Sequence, residues 1–317
     1  MQEHRWWHPV AATQELASSP LAVTLLGEPL ALWRDAAGAA HVFTDRCPHR
    51  GTPLSMGTVR NDRLECAYHG WQFDGSGRCA HIPAVPEYAP AASHAVGAHA
   101  VREEHGLVWV HLGTQADAFA LPALADLPAR EVVCGPYDVA TSAPRIVENF
   151  LDTAHFGFVH EGGLGDRGHT AVPHYQVVTS DQGAPAVPRY RSWQPQASAQ
   201  AAAGGWVDYR YEVLSPYSAL LAKQAGGAGN DAYALWVCPL APEASRVWFT
   251  LFTNDAASSD KALRAFQHGI FMQDRPILEA QDPKRLPLGA EVHSAADRMS
   301  TAYRRYLREQ NITFGVC

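Results

Sequence analysis

Short runs of apolar residues that alternate with polar ones dominate the first third of the chain. Segments such as LAVTLLG, AHVFTD, RLECAYHGWQFD and GLVWVHL are rich in β-branched and aromatic residues, and Gly- and Asp-containing breaks separate them. Such alternation is typical of short strands joined by turns. The pattern therefore predicts a small all-β unit over about residues 5–115.

The hydrophobic pattern changes after a Pro- and Ala-rich stretch at 118–130, so we predict two domains, 1–118 and 119–317. Within 146–160 the spacing of the apolar residues indicates a helix with one buried face. Later segments, WVDYRYEVL, AYALWVCPL and RVWFTLFTN, predict strands. One face of the last of these is expected to line the interior of the domain and to reach a cavity.

Loops and helices complete the pattern of the second domain. The small and polar residues at 194–205 and 225–230 predict mobile loops. Two helices are expected near 260–281 and 294–310, the second with Ser294 as its N-cap. The fold class is therefore α+β, an all-β domain followed by a sheet flanked by helices.

Charge and composition narrow the classes of partner. The chain of 317 residues carries a net charge of -7 and has no sustained Lys/Arg run, which disfavours binding to nucleic acid or to an anionic membrane. We find neither a signal-peptide pattern nor an apolar stretch long enough to span a membrane, so we expect a cytoplasmic protein. Six cysteines without the spacing of a disulfide framework point to metal ligation.

Two Cys-x-n-His pairs define a first candidate metal site. Cys47 and His49 stand two apart, and after sixteen intervening residues Cys66 and His69 stand three apart. In a Rieske [2Fe-2S] cluster two thiolates hold one iron and two imidazoles hold the other. A structural zinc site accepts the same four ligands, although its cysteines usually lie together on one loop as C-x-x-C.

The two loops, CPHRGTPLS and CAYHGWQFD, resemble the signature loops of Rieske oxygenase α subunits over about the first 110 residues. Rieske ferredoxins share similar loops. The resemblance therefore implies a [2Fe-2S] cluster and single-electron transfer, but these loops alone do not establish an oxygenase.

The segment ENFLDTAHFGFVH, 148–160, defines a second candidate metal site. His155 follows Asp152 by three residues, so the two share a face on a helix, and His160 lies five residues further on. Two imidazoles plus one carboxylate from elsewhere would form the facial triad of a non-haem Fe(II) site. The alternative is that both histidines are polar residues on a packed helix.

This segment is similar to the N-x-x-D-x-x-H-x-x-x-x-H motif of the Rieske oxygenase family, in the branch of aromatic demethylases and monooxygenases. The resemblance implies that His155 and His160 bind iron and that Asn149 lies near it as a weak ligand or hydrogen-bond donor. It also implies that Asp152 links His155 to His69 of a neighbouring subunit in a homotrimer.

The third iron ligand is expected on a helix near the end of the chain. The family has an Asp there, followed five residues later by Glu, and Asp274 with Glu279 has that form. Glu279 and Asp282 are the competing carboxylates. If Pro276 marks a helix start, Asp274 is instead an ordinary carboxylate at a helix N-terminus.

The resemblance implies an N-terminal all-β Rieske domain and a helix-grip (START-like) catalytic domain with a curved antiparallel sheet and C-terminal helices. It implies a terminal oxygenase with a [2Fe-2S] cluster and mononuclear Fe(II), which uses O2 to hydroxylate or demethylate a small aromatic substrate. The chain has no dinucleotide-binding motif, so NAD(P)H would act through a separate reductase, with or without a ferredoxin. The alternatives are a Rieske electron-transfer or ligand-binding protein without turnover, and a cis-dihydroxylating dioxygenase.

Overall fold

The computed structural model describes residues 1–114, 116, 118–195, 204–225 and 228–317. The chain forms two compact units, one of residues 4–118 and one of residues 1–3 with 119–317. Residues 1–3 belong to the second unit because the buried Glu3 carboxylate accepts hydrogen bonds from the backbone N–H groups of Thr313 and Phe314, at 2.6 and 2.8 Å.

The first unit consists of two antiparallel sheets, which confirms the predicted all-β domain. Its strands are β1 Trp7–Ala12, β2 Leu21–Leu25, β3 Glu28–Arg34, β4 Ala40–Thr44, β5 Thr58–Arg60, β6 Arg63–Glu65, β7 Gln72–Phe73, β8 Cys79–His81, β9 Ala98–Glu104 and β10 Leu107–His111. One sheet has the order β1-β10-β9-β4-β3-β2 and the other β5-β6-β7-β8. The loops with the Cys/His pairs follow β4 and β6.

The second unit is built on one seven-stranded antiparallel sheet of order β11-β17-β16-β15-β14-β13-β12. These strands are β11 Arg130–Val139, β12 Val178–Thr179, β13 Pro185–Gln194, β14 Gly205–Ser215, β15 Ser218–Ala225, β16 Ala228–Ala241 and β17 Ala244–Thr253. The helices are α1 Ala143–Leu151, α2 Phe156–Val159, α3 Asp260–Ala280 and α4 Arg298–Glu309. The curved sheet with C-terminal helices confirms the predicted fold class.

The single helix expected over 146–160 is in fact two helices. α1 ends at Leu151, and Asp152 has an extended backbone (φ -79°, ψ 133°). The Asp152 carboxylate accepts a hydrogen bond from the backbone N–H of Ala154 at 2.8 Å. Such a local side-chain bond competes with the helical hydrogen bonds, so the chain turns before α2 begins at Phe156.

Ser294 is not the N-cap of the last helix, so that prediction is wrong. α4 begins at Arg298, with Asp297 in the N-cap position. The Ser294 hydroxyl instead accepts a hydrogen bond from the backbone N–H of Ala296 at 3.1 Å, within the turn that precedes the helix.

The two predicted loops, 194–205 and 225–230, can be compared with the structure only in part. Residues 196–203 of the first lie outside the described residues, as do 226 and 227 of the second. The loop prediction for 228–230 is wrong, because β16 begins at Ala228, which pairs with Ala225 at the end of β15. Pairing in the sheet outweighs the low strand propensity of this Ala- and Gly-rich segment.

Two buried arginines, Arg145 on α1 and Arg304 on α4, share two carboxylates in a network that links these helices. Arg304 Nε donates to Glu148 Oε1 at 2.6 Å, and Arg145 Nη2 donates to Glu291 Oε1 at 2.7 Å. Arg304 Nη2 also donates to Glu291 Oε2 at 2.5 Å. Both arginine side chains are almost fully buried, so removal of either partner would leave uncompensated charge in the interior.

Among the residues that the structure describes, no helix is both long enough and apolar enough to cross a lipid bilayer.

Candidate metal centres

The two Cys/His loops of the first unit have the same backbone pattern. The N–H of Gly51 donates to the carbonyl of Cys47 at 2.9 Å, and the N–H of Gly70 donates to the carbonyl of Cys66 at 3.0 Å. Both glycines have positive φ, +77° and +70°, which residues with a Cβ adopt only at a cost. Each tight turn lets a cysteine and the histidine that follows it project from one short loop.

The structure brings the four predicted cluster residues together, thiol beside thiol and ring beside ring. The side chains of Cys47 and Cys66 are buried and in hydrogen-bond contact, and both cysteines are free thiols. The ring centroids of His49 and His69 lie 4.4 Å apart. This separation into sulfur and nitrogen pairs matches the asymmetric ligand set of a Rieske cluster.

Burial affects the protonation of the Cys47 thiol and of the His49 imidazole in opposite senses for metal binding. Burial raises the pKa of the Cys47 thiol to about 11, against the opposing effect of N–H groups of His49 and Arg50 that donate to it. A metal must therefore displace the proton. Burial and the neighbouring His69 lower the pKa of His49, which favours the neutral imidazole. His49 Nδ1 is buried without a hydrogen-bond partner, a costly arrangement that coordination to iron would relieve.

Trp71 holds the ring of His49 in place, and the sequence reasoning missed this role. The indole stacks on the imidazole with centroids 4.6 Å apart and planes inclined by 5°. The only sequence signal is its position two residues after His69. A stacked aromatic ring restricts rotation of the imidazole and so fixes the direction of its nitrogen atoms.

In the second unit, His155, His160 and Asp274 form the second predicted group. His155 takes the N-cap position of α2 and His160 its C-cap position, so one helical turn separates them. Their Nε2 atoms lie 3.2 Å apart, and Asp274 Oδ1 lies 3.5 Å from the first and 3.2 Å from the second. The three donor atoms could therefore bind one metal ion on a common face.

Asp274 lies well inside α3, which begins at Asp260 and continues through Pro276. The alternative of a carboxylate in the first turn of a helix is therefore wrong. Of the competing carboxylates, Glu279 accepts hydrogen bonds from the backbone N–H of Ala140 and from Arg275, at 3.1 and 3.0 Å. Asp282 lies beyond the end of α3 and is exposed.

Two hydrogen bonds orient the imidazoles of this group. His155 Nδ1 lies 3.1 Å from Asp152 Oδ2, and His160 Nδ1 lies 2.8 Å from Gln273 Oε1. With a proton on each Nδ1, held by these acceptors, both Nε2 atoms would be available to a metal ion together with Asp274. Gln273 was missed in the sequence, where only its position next to Asp274 could have indicated it.

The charges in the group reinforce one another. Burial acts to raise the pKa of Asp152, but the hydrogen bonds from His155 and from backbone N–H groups outweigh it, and the pKa lies below the usual range. Burial likewise acts to lower the pKa of His160, and the Asp274 carboxylate outweighs it. The structure also places Asn149 Nδ2 3.5 Å from Asp274 Oδ1. The predicted link from Asp152 to His69 of a neighbouring subunit stays a prediction.

A cavity lies against this group and within the second unit. Its empty space is about 710 Å³, a figure that includes solvent at the mouth. Most lining residues are aromatic or aliphatic, and Phe249 shows that one face of β17 reaches the cavity, as expected from the strand pattern. The lining residues are Ile146, Asn149, Phe150, His155, Phe156, His160, Leu164, Tyr209, Leu221, Lys223, Tyr233, Leu235, Phe249, Phe266, Gln267, Ile270, Phe271 and Asp274.

Two family models match the chain. The model of the Rieske [2Fe-2S] domain matches residues 6–97, and this match decides against the zinc alternative. The model of the vanillate O-demethylase oxygenase C-terminal domain matches residues 139–310, more than half of the chain.

Individual relatives extend over nearly the whole sequence. The chain is 32% identical to methylxanthine N1-demethylase NdmA of Pseudomonas putida, with 96% of this chain and 88% of the relative covered. It is 28% identical to the oxygenase component of dicamba O-demethylase of Stenotrophomonas maltophilia, with 88% of each covered. The solved structure of NdmA with caffeine aligns with a TM-score of 0.86 at 30% identity, and covers 97% of this chain and 91% of that one.

These matches confirm the resemblance that the signature loops and the iron motif indicated. They also confirm the expected cofactors, a Rieske [2Fe-2S] cluster and a mononuclear iron. The chain therefore belongs to the Rieske non-haem iron oxygenase family and is an oxygenase component of its monooxygenase and demethylase branch.

Proposed function

We propose that this protein oxidatively removes a methyl group from nitrogen or oxygen on a small aromatic substrate. In this proposal the Rieske cluster is held by Cys47, His49, Cys66 and His69, and the mononuclear iron by His155, His160 and Asp274. The observation that carries the proposal is the convergence of three donor atoms on one face, beside a cavity with mainly apolar walls. When bound, the cluster supplies single electrons and the iron supplies O2 activation.

The chain's own residues position and protect the reacting groups. Asp152 and Gln273 fix the tautomers of the two iron histidines, and Asn149 contributes an amide beside Asp274. The aromatic and aliphatic cavity walls exclude water and hold a flat ring by contact over its faces.

The substrates of the relatives support the substrate class. One acts on methylxanthines at nitrogen and the other on dicamba at oxygen, and both reactions remove a methyl group from a nitrogen or oxygen atom of an aromatic compound. We infer the same class of substrate for this chain, with O2 as co-substrate. The reaction balances as substrate–CH3 plus O2, two electrons and two protons, giving substrate–H, formaldehyde and water.

Assembly and location complete the proposal. The functional domains are 1–118 and 119–317, and the working unit is a homotrimer in which Asp152 of one subunit contacts His69 of the next. Such a contact would give a short path for the electron, because a carboxylate would join the two imidazoles.

We propose that the protein acts in the cytoplasm, where a reductase finds NAD(P)H, and binds neither nucleic acid nor membrane.

The proposed reaction predicts one formaldehyde per methyl group removed. Protein loaded with iron and cluster and reduced with dithionite is exposed to O2 in the presence of a panel of N-methyl and O-methyl aromatic compounds. We expect formaldehyde and the demethylated ring from at least one compound, in equal amounts. Ring-hydroxylated product without formaldehyde would show that the protein is a hydroxylase instead.

Loss of the Gln273 acceptor is predicted to weaken iron binding at the second site. We expect Gln273→Leu to lower the affinity for Fe(II) about 10- to 100-fold, since His160 loses the group that fixes its tautomer. Metal titration of the protein with its Rieske cluster intact measures this. Gln273→Glu keeps an acceptor and should retain most of the affinity. Equal affinity of the Leu variant and the unaltered protein would contradict the positioning role.

A further inference from the structure

Leu164 is the one residue in the cavity wall, among the residues that the structure describes, that lies on a loop. The other lining residues belong to α1, to α2 and its two caps, to α3 or to the strands of the sheet. Leu164 follows the end of α2 at Val159 and precedes the short turn Arg167–His169. Glu161 and Gly162 of the same loop are exposed, so Leu164 is the side chain that a surface loop turns inward.

The backbone on both sides of Leu164 is fixed to the C-terminal end of α2. The carbonyl of His160 accepts hydrogen bonds from the N–H groups of Gly163 and Gly165, at 3.0 and 3.1 Å. A Cβ at Gly165 would clash with the carbonyl oxygen of Phe156, so the loop approaches α2 as closely as only glycine allows. These contacts hold the leucine side chain at one place in the wall.

No neighbouring side chain of the loop could replace that of Leu164. Residues 162, 163 and 165 are all glycines. A Cβ at Gly162 would have no atom within 4 Å, and a Cβ at Gly163 would meet only the carbonyl oxygen of His160, at 3.6 Å. The outer side of the loop therefore faces open space. Truncation of Leu164 should enlarge the cavity, because the loop has no other side chain to fill the gap.

We propose that Leu164 is a specificity-determining residue that limits the size of the aromatic ring system that binds beside His155 and His160. A few carbon atoms in an apolar wall are enough to change the preference between two ligands of different size by an order of magnitude. A loop residue can set this limit without disturbing the packing of the helices on the sheet. The inference rests on the proposed function, because the class of ligand is taken from it.

Binding measurements by calorimetry on the metal-loaded protein test the inference. The probes are N-methyl-2-pyridone, which has one ring, and N-methyl-2-quinolone, which has a second ring fused to the first. Both carry the same methyl group and the same carbonyl oxygen, so they differ in size alone. We expect Leu164→Ala to raise the affinity for the quinolone relative to the pyridone about tenfold or more. Leu164→Phe should lower this ratio, because the larger side chain narrows the cavity.

Two variants serve as controls. Leu164→Met keeps nearly the same volume and should retain the affinity ratio of the unaltered protein. Val292→Ala truncates an aliphatic side chain that is almost fully exposed, and it should also leave the ratio unchanged. Iron content and melting temperature, measured on every variant, show whether the metal site and the fold are intact.

Two results would overturn the inference. One is an unchanged affinity ratio in both Leu164→Ala and Leu164→Phe, with iron content and melting temperature equal to those of the unaltered protein. The other is a ratio that changes as much in Leu164→Met as in Leu164→Ala, because size would then not be the cause. Binding needs no electron delivery, so a shifted ratio in a protein that demethylates no compound would contradict the proposed function alone. Demethylation with an unchanged ratio would contradict only the role of Leu164.

Discussion

An Asp274→Ala protein should contain two irons per chain in place of three, and it should have lost turnover. The variant removes the one carboxylate of the proposed facial triad and leaves His155 and His160 with Nε2 atoms 3.2 Å apart. Two imidazoles alone bind Fe(II) far more weakly than two imidazoles with a carboxylate, since the negative charge is lost. Iron and acid-labile sulfide analysis on the same sample separates the two sites, because the sulfide reports only the cluster.

Asp282→Ala is the matched control for this variant. Asp282 lies just beyond the end of α3 and is exposed, so its removal changes net charge by the same amount without touching the donor group. We expect that control to keep three irons and full turnover. A full iron count in Asp274→Ala would show that another group completes the site and that the ligand assignment is wrong.

An Asp152→Asn protein should keep both metal sites filled, but its turnover rate should fall about a hundredfold or more. This is the upper end of the loss of activity expected when a carboxylate that supports a metal ligand is removed. The amide oxygen of Asn can still accept from His155 Nδ1, so the ring keeps its orientation. However, the variant lacks the negative charge of the Asp152 carboxylate, which hydrogen bonds stabilise in the unaltered protein. In the proposed trimer this carboxylate would also provide the path for the electron between two subunits. Iron analysis and stopped-flow reoxidation of the cluster measure the two effects separately.

The chain supplies a close control for this variant in Asp166 and His169. Asp166 Oδ2 lies 3.1 Å from His169 Nδ1 with the same three-residue spacing and the same distance as Asp152 and His155, but the pair is exposed. Asp166→Asn should therefore leave turnover unchanged. Turnover that survives in Asp152→Asn would remove the bridging role, and turnover lost in both variants would indicate a structural effect.

Most of the candidate ligands could be predicted from the sequence because they lie in pairs that are close together along the chain. Cys47 with His49 and Cys66 with His69 each lie on one tight turn, and His155 with His160 spans one helical turn. Asp274 is distant in sequence, and the family resemblance rather than any local pattern singled it out. Pro276 could be taken as the start of a helix in the sequence, but it lies inside α3, which begins at Asp260.

The residues that sequence reasoning missed act through tertiary contacts. Gln273 contacts His160, and Trp71 contacts His49, although neither pair is adjacent in the sequence. Glutamine and tryptophan have many other roles in proteins, so the residue types alone do not indicate these contacts. Lys223 lines the cavity from β15, a strand that the sequence pattern did not predict. The cavity it lines needs α1, α2, α3 and the sheet together, and no spacing along the chain encodes that arrangement.

The two buried arginines that link α1 to α4 should make the segment 148–160 insensitive to ionic strength. Dissolved salt screens exposed ion pairs such as Arg167 with Glu161. It screens the pairs of the buried Arg145 and Arg304 much less. Glu148, which Arg304 holds, is directly next to Asn149 on the same helix. Salt that weakens the docking of a charged redox partner at the surface should therefore leave the geometry around His155 and His160 intact.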